Sequence, residues 1–157
     1  MQDRFKFRAY FIPEEYYVKI TQLNFDAEGN ITEIKFIKPK SVDPGGSEYI
    51  CYQDQLNKFV FEQCTGLKDK NDKLIYEGDI VEVTSPENWN IFDEYSNSEI
   101  LGKGVVVTKP GCAFIKKNDI DGEEKKYYFA LYSVVEDASV EVIGNIHENS
   151  ELLEDNK

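Results

Sequence analysis

One stretch constrains this chain more than any other: residues 65–83, TGLKDKNDKLIYEGDIVEV. A run of Lys, Asp and Asn carries turn chemistry, and Gly78-Asp79 makes a corner. Ile80, Val81 and Val83 then open a strand at once. Such a block opens a small β-barrel and divides the chain into two halves. It leaves little room for long helices.

The flanking segments fit the same plan. Phe5, Phe7, Ala9 and Phe11 alternate with Arg4, Lys6, Arg8 and Tyr10, which predicts a first strand ended by Pro13. Tyr16, Val18 and Ile20 keep one phase, whereas Leu23 and Phe25 fall in the other. A strand keeps its buried face through such a shift only with an extra residue, so a bulge is expected near Thr21-Gln22. Asp26-Ala27-Glu28-Gly29-Asn30 reads as a hairpin turn, returning through Ile31, Ile34 and Phe36. Residues 38–47 form a loop. Two short apolar runs, 49–52 and 59–61, read as a hairpin, with a short helix over 55–61 as the competing assignment.

Beyond the block, Gly102-Lys103-Gly104 leads into Val105-Val106-Val107, apolar on both faces and hence a central strand. Pro110-Gly111 turns the chain, residues 118–123 make a polar hairpin loop, and 127–132 form an aromatic strand. Val140, Val142 and Ile146 mark the last. Asn149 is expected to cap one final turn. Many short strands with Gly and Asp punctuation indicate a barrel or sandwich. The expected fold is mainly β (β-rich α+β): an N-terminal antiparallel sheet region (1–64) packed on a C-terminal SH3-like barrel (80–157). Residues 65–79 serve as signature turn and linker, and helices are short at most.

Composition narrows the function classes. With 157 residues, 41% hydrophobic and 13% aromatic, the chain can bury a core. Thirty acidic against 18 basic residues give a net charge of −12, which opposes non-specific binding to phosphate backbones. The acidity suits solubility; the sharper alternative is imitation of nucleic-acid phosphates. Three widely spaced cysteines fit a reducing compartment, and no signal peptide or membrane span is read. A cytoplasmic protein is expected.

Three segments carry a resemblance. Residues 5–9 (FKFRA), the block 65–71 with 75–81 (IYEGDIV), and 142–149 (VIGNIHEN) resemble the YopX family, in the same order and over nearly the whole chain. Members often carry Trp where this chain has Tyr10, Tyr where it has Cys64, and Gly where it has Asp72. Asp tolerates such a turn position less readily than Gly, though it is enriched at positive φ. The resemblance implies a mostly β fold and an origin in phages and prophages, largely of Gram-positive bacteria. It implies no activity and no catalytic residue. The signature residues Thr65, Gly66, Leu67, Asp69, Tyr76, Glu77, Gly78, Asp79, Gly144 and Asn145 are read as structural.

Possible sites are few. Asp69, Asp72, Glu77 and Asp79 fail as a calcium loop, because position twelve from Asp69 is Ile80 and position six is Leu74. Turn chemistry explains them better. His147 is the one histidine, so no acid–base–nucleophile set can be assembled from recognisable motifs. Cys51, Cys64, Cys112 and His147 have zinc-ligand types without zinc spacing. No catalytic residue, metal or cofactor is assigned. Two partner-binding candidates remain. Arg4, Lys6 and Arg8 form one positive row, which could follow an acidic surface or phosphates, or pair with the chain's own carboxylates. Trp89, Phe92 and Tyr95 could anchor a partner or fold back over the barrel. The reading is a non-catalytic accessory protein that binds a host or phage protein, or itself. A nucleic-acid-related module is the alternative, acting as an acidic mimic or through the basic strand. An enzyme of unknown class ranks third.

Overall fold

The computed structural model of the protein describes residues 6–84, 101–110, 112–118 and 126–154; the side chains of Asn118, Lys126, Tyr127 and Asp137 lie outside that description. The protein is mainly β, in two antiparallel sheets. The chain divides into two compact units, Lys6–Glu62 and Gln63–Lys157.

The first unit contains β1 (Phe7–Phe11), β2 (Tyr16–Phe25), β3 (Ile31–Ile37), β4 (Glu48–Tyr52) and the first half of β5 (Phe59–Lys68). The second half of β5 belongs to the second unit and pairs there with β6 (Leu74–Tyr76). The hydrogen-bonded order is β4-β3-β2-β1-β5-β6. In the β2–β3 ladder Ile20 pairs with Phe36 and Gln22 with Lys35, leaving Thr21 as the extra residue of a bulge. That insertion is where the phase shift required it, and it lets both Ile20 and Leu23 pack on the core. Asp26 shapes the hairpin turn: its Oδ1 accepts from the backbone N–H of Glu28 and of Asn30, and Gly29 takes φ +88°. The core gathers Ala9, Val18, Ile34, Phe36, Cys51 and Phe59. The aromatic rings of Phe11, Phe36 and Phe59 lie 5.0–6.4 Å apart.

The expected 49–61 hairpin does not form. β4 and β5 are joined by a 3₁₀ turn, Gln53–Lys58, and sit four places apart in the sheet. Short apolar runs of this kind carry no register information, so adjacency in sequence gave a false pairing.

The second unit holds β7 (Asp79–Thr84), β8 (Gly102–Lys109), β9 (Cys112–Asn118), β10 (Lys126–Ala130), helix α1 (Leu131–Asp137) and β11 (Ser139–Asn145). The order β10-β9-β8-β7-β11 puts the Val105-Val106-Val107 strand at the centre, as its two-sided apolarity requires. Among the described residues no closed barrel is seen. Gly104 is needed for close packing, because a Cβ there would stand 2.5 Å from Ile115 Cγ2 and 3.1 Å from the Lys116 carbonyl oxygen. Ile75, Val81, Val83, Val106, Ile115, Leu131, Val134 and Val140 form this unit's core.

Two expected ends are corrected. The aromatic strand stops at Ala130, and Leu131 begins a helix that buries Leu131 and Val134. Their i, i+3 spacing, continued by Val135 at i+4, is helical, and the aromatic run before it masks that period. The final 3₁₀ turn, Ser150–Leu153, does form, but Asn149 does not cap it. Its side-chain oxygen instead accepts from the Asn145 backbone N–H.

Candidate functional site

A dense group of polar contacts in the second unit is the signature block itself. Asp69, 7% exposed, accepts through Oδ1 from the backbone N–H groups of Asn71 and Lys73, each at 2.9 Å. Its Oδ2 accepts from the N–H of Val142, 73 residues away, at 3.0 Å. Burial pushes the carboxyl upward in pKa, but these backbone hydrogen bonds outweigh it and hold the group below its ordinary value. Lys70 N–H also donates to the Val140 carbonyl at 2.8 Å. Asp72 takes φ +67°, a left-handed turn position that Asp tolerates.

These bonds have one structural consequence. Val140 and Val142 lie on β11, the last strand of its sheet. Their backbone groups facing away from β7 are an open edge, and the 69–73 turn covers them. An uncovered edge is a template for pairing with another chain. The turn therefore acts as a seal.

The other signature residues surround this seal. Thr65 Oγ1 donates to the Ile75 carbonyl and accepts from Leu67 N–H. Gly66 and Gly78 both take φ +79°, and Leu67 packs on the core. Gly78 N–H donates to the Val106 carbonyl, and its own carbonyl accepts from Ile146. Glu77 N–H bonds the Gln63 carbonyl, and Tyr76 N–H donates to the nearly inaccessible carboxylate of Asp79. Farther along, Asn145 Oδ1 accepts from the N–H groups of His147 and Glu148, and its Nδ2 donates to Glu148 Oε2. Gly144 leaves room for this loop: a Cβ there would stand 2.7 Å from Asn149 Oδ1.

Of the basic row, Arg4 lies outside the described residues and Lys6 is exposed. Arg8 is drawn into the first unit. Its Nε lies 2.5 Å from Oε2 of Glu62, whose side chain is 2% exposed, and its guanidinium stacks 4.8 Å from the Tyr17 ring centroid. Tyr17 donates its hydroxyl to the same carboxylate oxygen at 2.9 Å. Arg8 thus meets one of the chain's own carboxylates. Trp89, Phe92 and Tyr95 lie outside the described residues.

A feature that sequence reasoning missed stands at the other end of the first sheet. β4 is the terminal strand there, and among the described residues its backbone pairs with no strand beyond β3. Its solvent face presents Ile50, 49% exposed, and Tyr52, 59% exposed. The sequence reads 49–52 as a short apolar run, which does not tell which strand of the sheet is terminal.

The second unit also has an open pocket of about 150 Å³ between β5 and the β8–β9 hairpin, touched by Cys64 and Cys112. Both thiols are free. Among the described residues no three His, Cys, Asp or Glu side chains are placed to hold a metal ion. No described helix is long and apolar enough to cross a membrane.

Fold and signature together define a mainly β protein whose most distinctive residues build turns. The chain belongs to the YopX family, whose model, described as YopX protein, matches residues 6–154. It is similar to the protein in the crystal structure of protein EF1440 from Enterococcus faecalis. The two share 28% identity with a TM-score of 0.55, over 94% of this chain and 96% of that one. No curated protein matches it.

Proposed function

We propose that the chain is a non-catalytic phage or prophage accessory protein of the host cytoplasm, working as a protein-interaction module through a β-edge. The observation that carries this reading is an asymmetry between edges. The β11 edge is covered by Asp69 and Lys70, whereas β4 carries two large apolar side chains beside backbone that, among the described residues, pairs with no strand beyond β3. Strand addition at such an edge supplies main-chain hydrogen bonds for affinity and side-chain contacts for selectivity. Family membership agrees with an accessory role and assigns no chemistry. We also read the five-stranded sheet as SH3-like, on its strand order and the helix before its last strand.

The test is affinity capture from host cells with wild-type protein and with the double variant Ile50→Lys, Tyr52→Lys. Both substituted side chains are exposed, so folding should be preserved and can be checked by circular dichroism. The reading expects a specific protein that wild type recovers and the variant does not. Equal recovery by both baits would overturn it.

A further inference from the structure

We infer that the occupant of the β4 edge is a second copy of this chain, paired antiparallel with Ile50 on the two-fold axis. The inference rests on the β-edge reading above and names its partner.

Among antiparallel self-pairings, the strand's length and faces select this register. With Ile50 opposite Ile50, all five residues of Glu48–Tyr52 find partners: Glu48 faces Tyr52 at both ends, and Tyr49 faces Cys51. Sliding by two residues in either direction leaves only three residues paired, and sliding by one mismatches the solvent and core faces. β4 is also free of Lys and Pro, two residues that commonly guard edges.

Charge fits the same register. In the β3–β4 ladder Glu33 stands opposite Tyr52, Lys35 opposite Ile50 and Ile37 opposite Glu48. Across the two-fold axis the outer rows therefore read Glu33–Tyr52–Glu48–Ile37, and the central row reads Lys35–Ile50–Ile50–Lys35. No row sets like charges side by side. The two lysines of the central row are separated by three strand spacings, roughly 14 Å. Glu48 meets a phenol, a hydrogen-bond donor, and already accepts from Thr21 Oγ1 at 2.6 Å. Ile50 and Tyr52, each about half exposed alone, would be covered by their counterparts. A chain of net charge −12 meets itself here in a register that opposes no two carboxylates.

Sedimentation equilibrium of the full chain over a wide concentration range tests this directly. The expected result is a reversible monomer–dimer equilibrium, weakened at least about tenfold by Ile50→Lys, a difference of about 1.4 kcal/mol. In a Cys112→Ser background, Ile50→Cys should give a covalent dimer on mild oxidation, and Tyr128→Cys should not. A wild-type chain that stays monomeric throughout, or a dimer that Ile50→Lys leaves unchanged, would overturn the inference. In either case the capture experiment decides the parent reading separately. A host or phage protein lost with the double β4 variant would sustain the edge while removing the second copy. Undiminished recovery would remove both.

Discussion

Removing the Asp69 carboxylate takes away the acceptor of three backbone N–H groups at once, two in its own turn and one on β11. Asp69→Asn keeps one acceptor oxygen and turns an amide donor toward at least one of those donors. A loss of about 2–3 kcal/mol in chemical denaturation is expected. The pH dependence has a definite sign. A carboxyl held below its ordinary value contributes in full above that value, about 3.9 for Asp, and its contribution fades as pH falls through the folded-state pKa. The gap between wild type and Asp69→Asn should therefore be widest near neutrality and narrow in acid. Glu62 offers a second residue-level test. Glu62→Ala removes the carboxylate that Arg8 and Tyr17 share and should cost about 1–3 kcal/mol. Glu62→Gln, which retains an acceptor, should cost less in the same urea titration. At this scale the sequence was partly legible. Asp69 read as a turn residue from its neighbours, but nothing local indicates Val142 as its third donor. Likewise Arg8 stood out as a charge without Glu62, 54 residues away, being visible as its partner.

Elements were legible where a face or a phase constrained them. The Thr21 bulge followed from a phase shift, and the central position of β8 from its two-sided apolarity. They were obscured where only adjacency was available, as with the supposed hairpin between β4 and β5. The helix after Ala130 was hidden by its aromatic neighbours, since Tyr132 reads as strand although it is 61% exposed on α1. Edges are the least legible feature of all, because being terminal is a property of the assembled sheet. The seal on β11 can be tested by Lys70→Pro. Lys70 occupies the second position of the turn closed by Asp72 N–H on the Asp69 carbonyl, where proline is favoured. The substitution keeps the turn and deletes the N–H that reaches Val140; it also removes the ion pair of Lys70 Nζ with Glu141, so it is compared with Lys70→Ala, which loses that pair alone. Stability should drop by about 1–2 kcal/mol with strand content unchanged by circular dichroism. No drop would mean that the bond to β11 is incidental.

For the whole molecule, charge and edge act against each other. A net charge of −12 repels a second copy at long range, whereas β4 attracts it at short range. Repulsion reaches about 30 Å at 0.01 M salt and about 8 Å at 0.15 M. Added salt should accordingly strengthen self-association in sedimentation, contrary to the weakening expected of an interface held by ion pairs. The most direct measurement is amide hydrogen exchange as a function of protein concentration. The β4 amides that point away from β3 should exchange fast in dilute solution and slow as concentration rises, while Val142, donating to Asp69, should be protected throughout. Exchange at β4 that does not respond to concentration, or responds equally in Ile50→Lys, would contradict an edge held open for a second copy.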